Sequence, residues 1–303
     1  MKKLLLLLLC VPLIFSCGEN EKKKEIENEK KKEIKNDLTR QNLKGKVKST
    51  TKTILHKWNS SLSSIVVQFN KDGNMTDSSS YDKYGVLKEK CICKYDKDGN
   101  KTEYSHYDED GELNEKCIYK YNEYGNKTEE SYYDKDGELS DYIIVNVGKD
   151  GNATEESYYD KDGELICKWK YKYDKDGNKT EYSQYNADGE LDGKYKYQYD
   201  EVRNKTEWTW YNEDLEVKRN EKYKYNEDGN MTERTSYNAD GELDGKYKYQ
   251  YDEDGEITMY DNGPNKKAKA EYIYDKKRNW IERTYSENDK QITIIKREIE
   301  YYE

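Results

Sequence analysis

The sequence predicts an all-β chain in which tandem antiparallel β-hairpins of a 26-residue unit form an extended, curved or spiralling meander sheet. Three observations carry that prediction. Glycines recur in step at Gly73, Gly99, Gly125, Gly151, Gly177, Gly229 and Gly255, with a second series between them at Gly85, Gly111, Gly137, Gly163, Gly189 and Gly241. Aromatic residues keep the same step at Phe69, Tyr95, Tyr121, Tyr173, Tyr199, Tyr225 and Tyr251. Composition agrees: the chain holds 33 tyrosines, only 2 phenylalanines and only 2 prolines, as expected where backbone donors serve strand ladders. With 39% charged residues the chain leans toward disorder, but the strict repeat argues for a thin, ordered sheet instead.

Taken in order, residues 1–16 read as a leader. Lys2 and Lys3 precede an apolar run from Leu4 to Phe15, too short for a membrane span of about 20 residues. Residues 17–42 form a charged spacer in which Glu21–Asn28 is nearly duplicated by Glu29–Asn36, as a frayed helix or solvated tether. The repeat domain spans 43–303, with regular copies at 69–258 and caps at 43–68 and 259–303. Val47 to Trp58 and Ser63 to Phe69 read as the opening hairpin. The apolar, β-branched stretch Ile292 to Tyr302 reads as a capping strand over an otherwise open edge.

Inside a copy, Tyr95-Asp96-Lys97-Asp98-Gly99-Asn100 suits a type I turn with a left-handed glycine bulge. Fifteen such turns imply about 16 to 20 strands. Alternation puts Leu113, Cys117, Tyr119 and Tyr121 on one face with Thr128, Glu130 and Tyr132, and Lys116 and Lys120 on the other. The expected register sets Cys93 and Cys117 beside Thr102, Glu103 opposite Lys116, Trp208 beside Tyr195, and Trp210 beside Gly193 and Val217. Half-units alternating between 12 and 14 residues advance the register by two residues every two strands, a stagger that curls a sheet. The tyrosine face is expected on the inside of the curve.

The front of the chain and the repeat carry a resemblance. Ile14-Phe15-Ser16-Cys17 resembles a bacterial lipobox, which implies cleavage before Cys17, diacylglycerol on its sulfur and acylation of its amine. Together with Leu43-x-Gly45-Lys46-Val47-Lys48-Ser49 and the repeated Tyr-x-Tyr-Asp-x-x-Gly, it makes the chain similar to cell-envelope lipoproteins of the YD-repeat or Rhs-like class. That resemblance implies an envelope protein held to a membrane, in the outer membrane, by its N-terminal lipid. It specifies a repeat class rather than an activity. Large Rhs toxins wind such repeats into a shell around a toxin, a role that too few repeats and no toxin-like domain leave unimplied here.

Several chemistries are disfavoured. A net charge of −10 opposes phosphate backbones, so no nucleic-acid partner is expected. A calcium loop centred on Gly99 would place Lys94 first and Ser105 twelfth, and one on Gly111 would place His106 and Cys117 there, so Asp-x-Asp-Gly reads as turn chemistry. Cys91 and Cys117 share a repeat position, which sets them roughly 9.6 Å apart, beyond disulfide reach. They read, with Cys93 and Cys167, as small hydrophobes, and neither metal nor cofactor is expected. Only His56 and His106 exist, with no nucleophile or phosphate-loop motif, so the chain reads as a non-enzyme.

The sixth copy breaks the pattern. Arg203 and Leu215 replace both turn glycines, and Trp208 and Trp210 appear on the aromatic face. The expected ligand surface is therefore Trp208, Trp210 and Tyr195, with Trp169 on the same face. The expected function is a non-catalytic scaffold or binding module for a protein or glycan. An immunity or regulator protein for a neighbouring toxin is the alternative, and a glycan hydrolase the weaker third reading.

Overall fold

The computed structural model describes residues 36–56, 61–261, 267–287 and 290–303. Cys17, the leader, most of the charged spacer, Trp58 and the Asn262–Asn265 break lie outside the described residues. One helical turn, α1 (Asp37–Arg40), precedes twenty strands. In chain order they are β1 (Val47–His56), β2 (Ser61–Phe69), β3 (Met75–Tyr81), β4 (Leu87–Tyr95), β5 (Lys101–Tyr107), β6 (Leu113–Tyr121), β7 (Lys127–Tyr133), β8 (Leu139–Val147), β9 (Ala153–Asp160) and β10 (Leu165–Tyr173). They continue as β11 (Lys179–Asn186), β12 (Leu191–Tyr199), β13 (Lys205–Asn212), β14 (Val217–Tyr225), β15 (Met231–Tyr237), β16 (Leu243–Tyr251), β17 (Ile257–Asp261), β18 (Lys267–Tyr274), β19 (Trp280–Glu287) and β20 (Lys290–Tyr301).

Each strand pairs antiparallel with the next, and β20 returns to β1 from Val47↔Tyr301 to His56↔Thr293. The sheet is therefore a closed, twenty-stranded barrel, which corrects the expectation of an extended, curved or spiralling meander. The expected stagger is present. Cys93 faces Tyr104, and Tyr104 faces Cys117, two residues short of Tyr119, the repeat equivalent of Cys93. Carried around the ring, that shear tilts the strands until the first edge meets the last. The Ile292–Tyr302 stretch is accordingly not a cap: it lies in β20, whose Ile295 and Ile294 pair with Ile54 and Leu55.

The turns explain a second correction. In the β4–β5 turn the Asp96 amide bonds Asn100 O at 2.9 Å, and Gly99 N bonds Asp96 O at 3.2 Å. Asp96 Oδ1 accepts the amides of Asp98 and Asn100, both at 2.9 Å. Gly99 sits at φ +83°, the left-handed region that favours glycine. The loop is one residue wider than the expected register assumed, and the bulge between Lys94 and Tyr95 adds another. Pairs therefore slide by two: Cys93 faces Tyr104 rather than Thr102, and Glu103 faces Lys94 and Ile118 rather than Lys116. An even slide leaves every side chain on its expected face.

Asn36 caps α1 by accepting the Thr39 amide at 3.0 Å, and the segment docks on one rim of the barrel. Leu38 and Leu43 pack with Val47, Val67 and Phe69 into the principal buried cluster. Asp37 receives the Tyr95 hydroxyl from β4 at 2.9 Å, while Asn42 reaches Glu256, at the foot of β17, at 3.2 Å. Those strands lie about 34 Å apart around the sheet at a spacing of ~4.8 Å per strand. Their side chains meet on one six-residue stretch, which is the geometry of a concave surface. The tyrosine face thus lines the inside.

The outside is charged. Glu103 lies between Lys94 and Lys116 at 2.9 and 3.4 Å, Glu181 between Lys172 and Lys194 at 2.9 and 3.4 Å, and Glu233 between Lys224 and Lys246 at 3.0 and 3.1 Å. The Glu103–Lys116 contact is diagonal, a consequence of the slide. Barrels that cross a bilayer carry an outward apolar band about 25 Å tall. These outward lysine–glutamate rows are instead suited to water.

Candidate functional site

The inner wall carries a stack of rings running strand to strand. Tyr171 on β10 stacks with Tyr182 on β11 at 5.5 Å, and Tyr182 meets Tyr195 on β12 at 5.1 Å. Tyr195 then stacks with Trp208 at 6.0 Å and Trp210 at 6.4 Å, both on β13. The last two pairs are within 19° of parallel. Rings stacked this way stand upright side by side, so each covers its neighbour's face and turns an edge or hydroxyl toward the lumen. Each such pair is worth about 0.5–1.5 kcal/mol beyond its buried area. Tyr171, Tyr182 and Tyr195 are thereby committed to holding the wall together.

The stack ends at β13 because β14 offers no ring there. Trp210 faces Arg219, and Trp208 faces Glu221. Their other cross-strand partners are Tyr195 and Tyr197 respectively, so the expected pairing of Trp208 with Tyr195, and of Trp210 with Gly193 and Val217, is shifted by two residues. The rings of Trp208 and Tyr195 nevertheless touch diagonally. A Cβ at Gly193 would meet Trp210 Nε1 at 3.6 Å, an ordinary contact, so the glycine is not what makes room for the ring. Trp210 is 37% exposed, the most open ring of the group. Trp169 stacks on Tyr158 of β9 at 6.2 Å. It shares the face and the wall, but β11 separates it from Tyr195, and the structure does not join it to the tryptophan pair.

Charge sits against the end of the stack. Glu221 is 7% exposed; Arg219 Nε donates to it at 3.0 Å, and the Tyr223 hydroxyl at 2.8 Å. Lys205 lies over the rings of Tyr223 and Tyr197 at 4.7 and 5.9 Å, and burial pushes its ammonium below the usual lysine range. Burial, then the Asp192 carboxylate, pushes the Tyr195 phenol up. Arg219 and Glu221 escaped the sequence reading. A signal exists: the position that holds Glu221 carries Cys91, Cys117, Ile143, Trp169, Tyr195 and Tyr247 in the other copies. A carboxylate among apolar and aromatic equivalents marks a site of altered chemistry.

Among the described residues Cys91, Cys93, Cys117 and Cys167 form no disulfide, and Cys91 Sγ lies 3.0 Å from the Tyr104 hydroxyl. Cys93 and Cys117 are buried, with the ring of Tyr104 on the strand between them. Burial raises the Cys117 thiol to about 12, so it stays protonated and inert.

Fold and wall together define a class: a closed barrel built from hairpin repeats, with lysine–glutamate rows outside and stacked rings within. No protein-family model matches the chain, and no curated protein does. Among solved structures it is similar to a porin-like protein from Bacteroides uniformis, at 10% identity over 84% of this chain and 96% of that one, with a TM-score of 0.37. It is also similar to TcdB2-TccC3 without its hypervariable C-terminal region, at 10% identity and TM-score 0.25, covering 77% of this chain and 18% of that one. The Photorhabdus luminescens Tc holotoxin pore matches at 11% identity and TM-score 0.23, over 83% and 18%. The chain spans less than a fifth of those toxin chains.

Proposed function

We propose that the chain is a non-catalytic binding module of the bacterial cell envelope, in the outer membrane by its class resemblance, tethered by lipid on Cys17. It stands off the bilayer on its charged spacer and offers the open end of its aromatic stack to a glycan or protein segment. The observation that carries the binding half is Trp210, 37% exposed where the stack stops, with Trp208 and Tyr195 beneath it. An aromatic face with polar neighbours suits sugar rings and apolar side chains alike. The charged outer wall supports a tethered body rather than an inserted one.

Two experiments test the two halves separately. Cells fed a clickable fatty acid label the wild-type chain and not Cys17→Ser; labelling of both, or of neither, removes the anchor. Glycan-array and cross-linking profiles of the purified barrel are compared with those of Trp210→Ala and Trp208→Ala. Unchanged profiles in folded variants remove the binding surface.

A further inference from the structure

The closing seam of the barrel sets like charges face to face. Lys52 on β1 is the cross-strand partner of Arg297 on β20, and Arg283 on the adjoining β19 pairs with Ile295. The Lys52 ammonium and the guanidinium carbons of Arg283 and Arg297 lie 6.0, 4.6 and 3.8 Å from the centre of the Trp280 ring. An indole attracts cations but does not neutralise them, and like charges directly opposite destabilise a sheet.

Of the nearby carboxylates, Glu256 serves Arg283 alone within the cluster and Asp275 is engaged outside it. Glu256 accepts Arg283 Nη2 at 2.7 Å and Asn42 Nδ2 at 3.2 Å. Asp275 accepts the Tyr301 hydroxyl and the amides of Lys277 and Asn279. Among the described residues no carboxylate forms an ion pair with Lys52 or Arg297, whereas Arg283 has Glu256. Burial, then Arg297 and Arg283, pushes the Lys52 ammonium down to about 8, and burial brings Arg297 to about 10. Positive charge here exceeds its compensation.

Unpartnered groups gather at the same place. Four buried side-chain polar atoms among the described residues lack a hydrogen-bond partner, and three are Thr50 Oγ1, Arg283 Nε and Arg297 Nη2. Thr50 is 0% exposed and Arg297 3%. Buried donors of this kind normally have partners. Arg283 Nη1 and Nη2 already serve the Tyr285 hydroxyl and Glu256, and Arg297 Nε serves the Trp280 carbonyl. What remains is Arg283 Nε, Arg297 Nη2, the Lys52 ammonium and the Thr50 hydroxyl, donors of the kind that oxyanions take.

We propose that the inner-wall cluster of Lys52, Arg297 and Arg283 around Trp280, with Thr50 two residues along β1 from Lys52, is an oxyanion-binding site, taking a phosphate or carboxylate group at the β1–β20 seam. The bound anion would neutralise the facing cations and tie the closing strands together. The site is independent of the tryptophan pair on β13, so its test does not depend on that surface.

The full chain is melted in zwitterionic buffer with sodium chloride, then with inorganic phosphate or sodium acetate at matched ionic strength. Phosphate should raise the Tm by about 3 °C over chloride at concentrations well above its Kd. Acetate raising it as well shows that a carboxylate suffices; phosphate alone doing so assigns the site to phosphate. Lys52→Gln should melt higher than wild type in chloride, because it relieves repulsion, and should lose most of the phosphate gain. If that variant fails to fold, Arg297→Lys keeps the charge without the fork and should lose the gain instead. No anion gain over chloride, or a full gain retained by the variant, overturns the proposal.

Discussion

The phenol of Tyr121 at the end of β6 donates to the backbone carbonyl of Lys101 at the start of β5, across 2.8 Å. The same twenty-residue reach-back joins Tyr95 to Met75, Tyr173 to Ala153, Tyr199 to Lys179, Tyr225 to Lys205 and Tyr251 to Met231. Each bond ties one copy to the copy before it along the same rim. Tyr121→Phe should therefore cost about 1 kcal/mol in urea unfolding, with little change in far-ultraviolet circular dichroism. Two copies lack the phenol, with Phe69 and Val147 at this position. Val147→Tyr, able to reach the Lys127 carbonyl, should return a similar amount.

Two turns carry strain that sequence alone points to. Leu215 and Arg203 occupy glycine positions and hold φ +63° and +70°, a region that costs a side-chain-bearing residue about 1–2 kcal/mol. Leu215 is also 54% exposed and gains little from packing. Leu215→Gly should stabilise the barrel by about 1 kcal/mol after the unfolded chain's extra freedom is deducted. A Tm no higher than wild type would show that the left-handed conformation carries no strain there.

Alkaline pH should unfold the barrel cooperatively. Burial raises the phenols of Tyr225 and Tyr251 to about 12, and pushes Tyr119, Tyr132 and Tyr171 up further. For groups raised in the folded state, the stabilisation is complete below the unfolded value near 10 and is lost as pH climbs through the folded values. A 295 nm titration should show an exposed set ionising near 10. The buried set should ionise abruptly at higher pH, together with loss of the β-sheet dichroism. Smooth titration of every tyrosine near 10 would contradict the burial.

The outer wall predicts the acid limb. Hydrogen bonding to Lys120 holds Glu129 below its usual range. At Glu103 burial works the other way, but Lys94 and Lys116 overcome it. A carboxylate depressed in the folded state contributes above its unfolded value and loses that contribution as pH falls through the folded one. Tm should hold level from neutral pH to about 5 and decline below about 4.5. Because Lys94 and Lys120 are solvent-exposed, 1 M salt should flatten the decline.

Much of this architecture could be read from the chain because each copy is a local instruction. Asp96 and Gly99 set one turn, and the alternation from Leu113 to Tyr121 sets the faces. The 12 and 14 spacing sets the stagger. Register was missed by two residues because the loop width and the bulge at Lys94–Tyr95 are properties of backbone geometry, and an even error leaves no trace in the hydrophobic pattern. Closure is left undecided by the sequence because it depends on β1 meeting β20, a pairing that no local signal announces. The Lys52–Arg297 juxtaposition lies on that same pairing. At the aromatic site, Trp208 and Trp210 stood out as departures from the copies. Arg219 and Glu221 needed the register before they could be placed beside them.

Joining the last strand to the first also governs how the molecule can be made. Neighbouring copies can settle against one another as they emerge, but the ring stays unlocked until β20 arrives beside β1. Until that stitch is made, two raw strand borders stand open to any other extended polypeptide. The assembling chain is therefore most vulnerable just before it is finished, and most secure immediately afterwards.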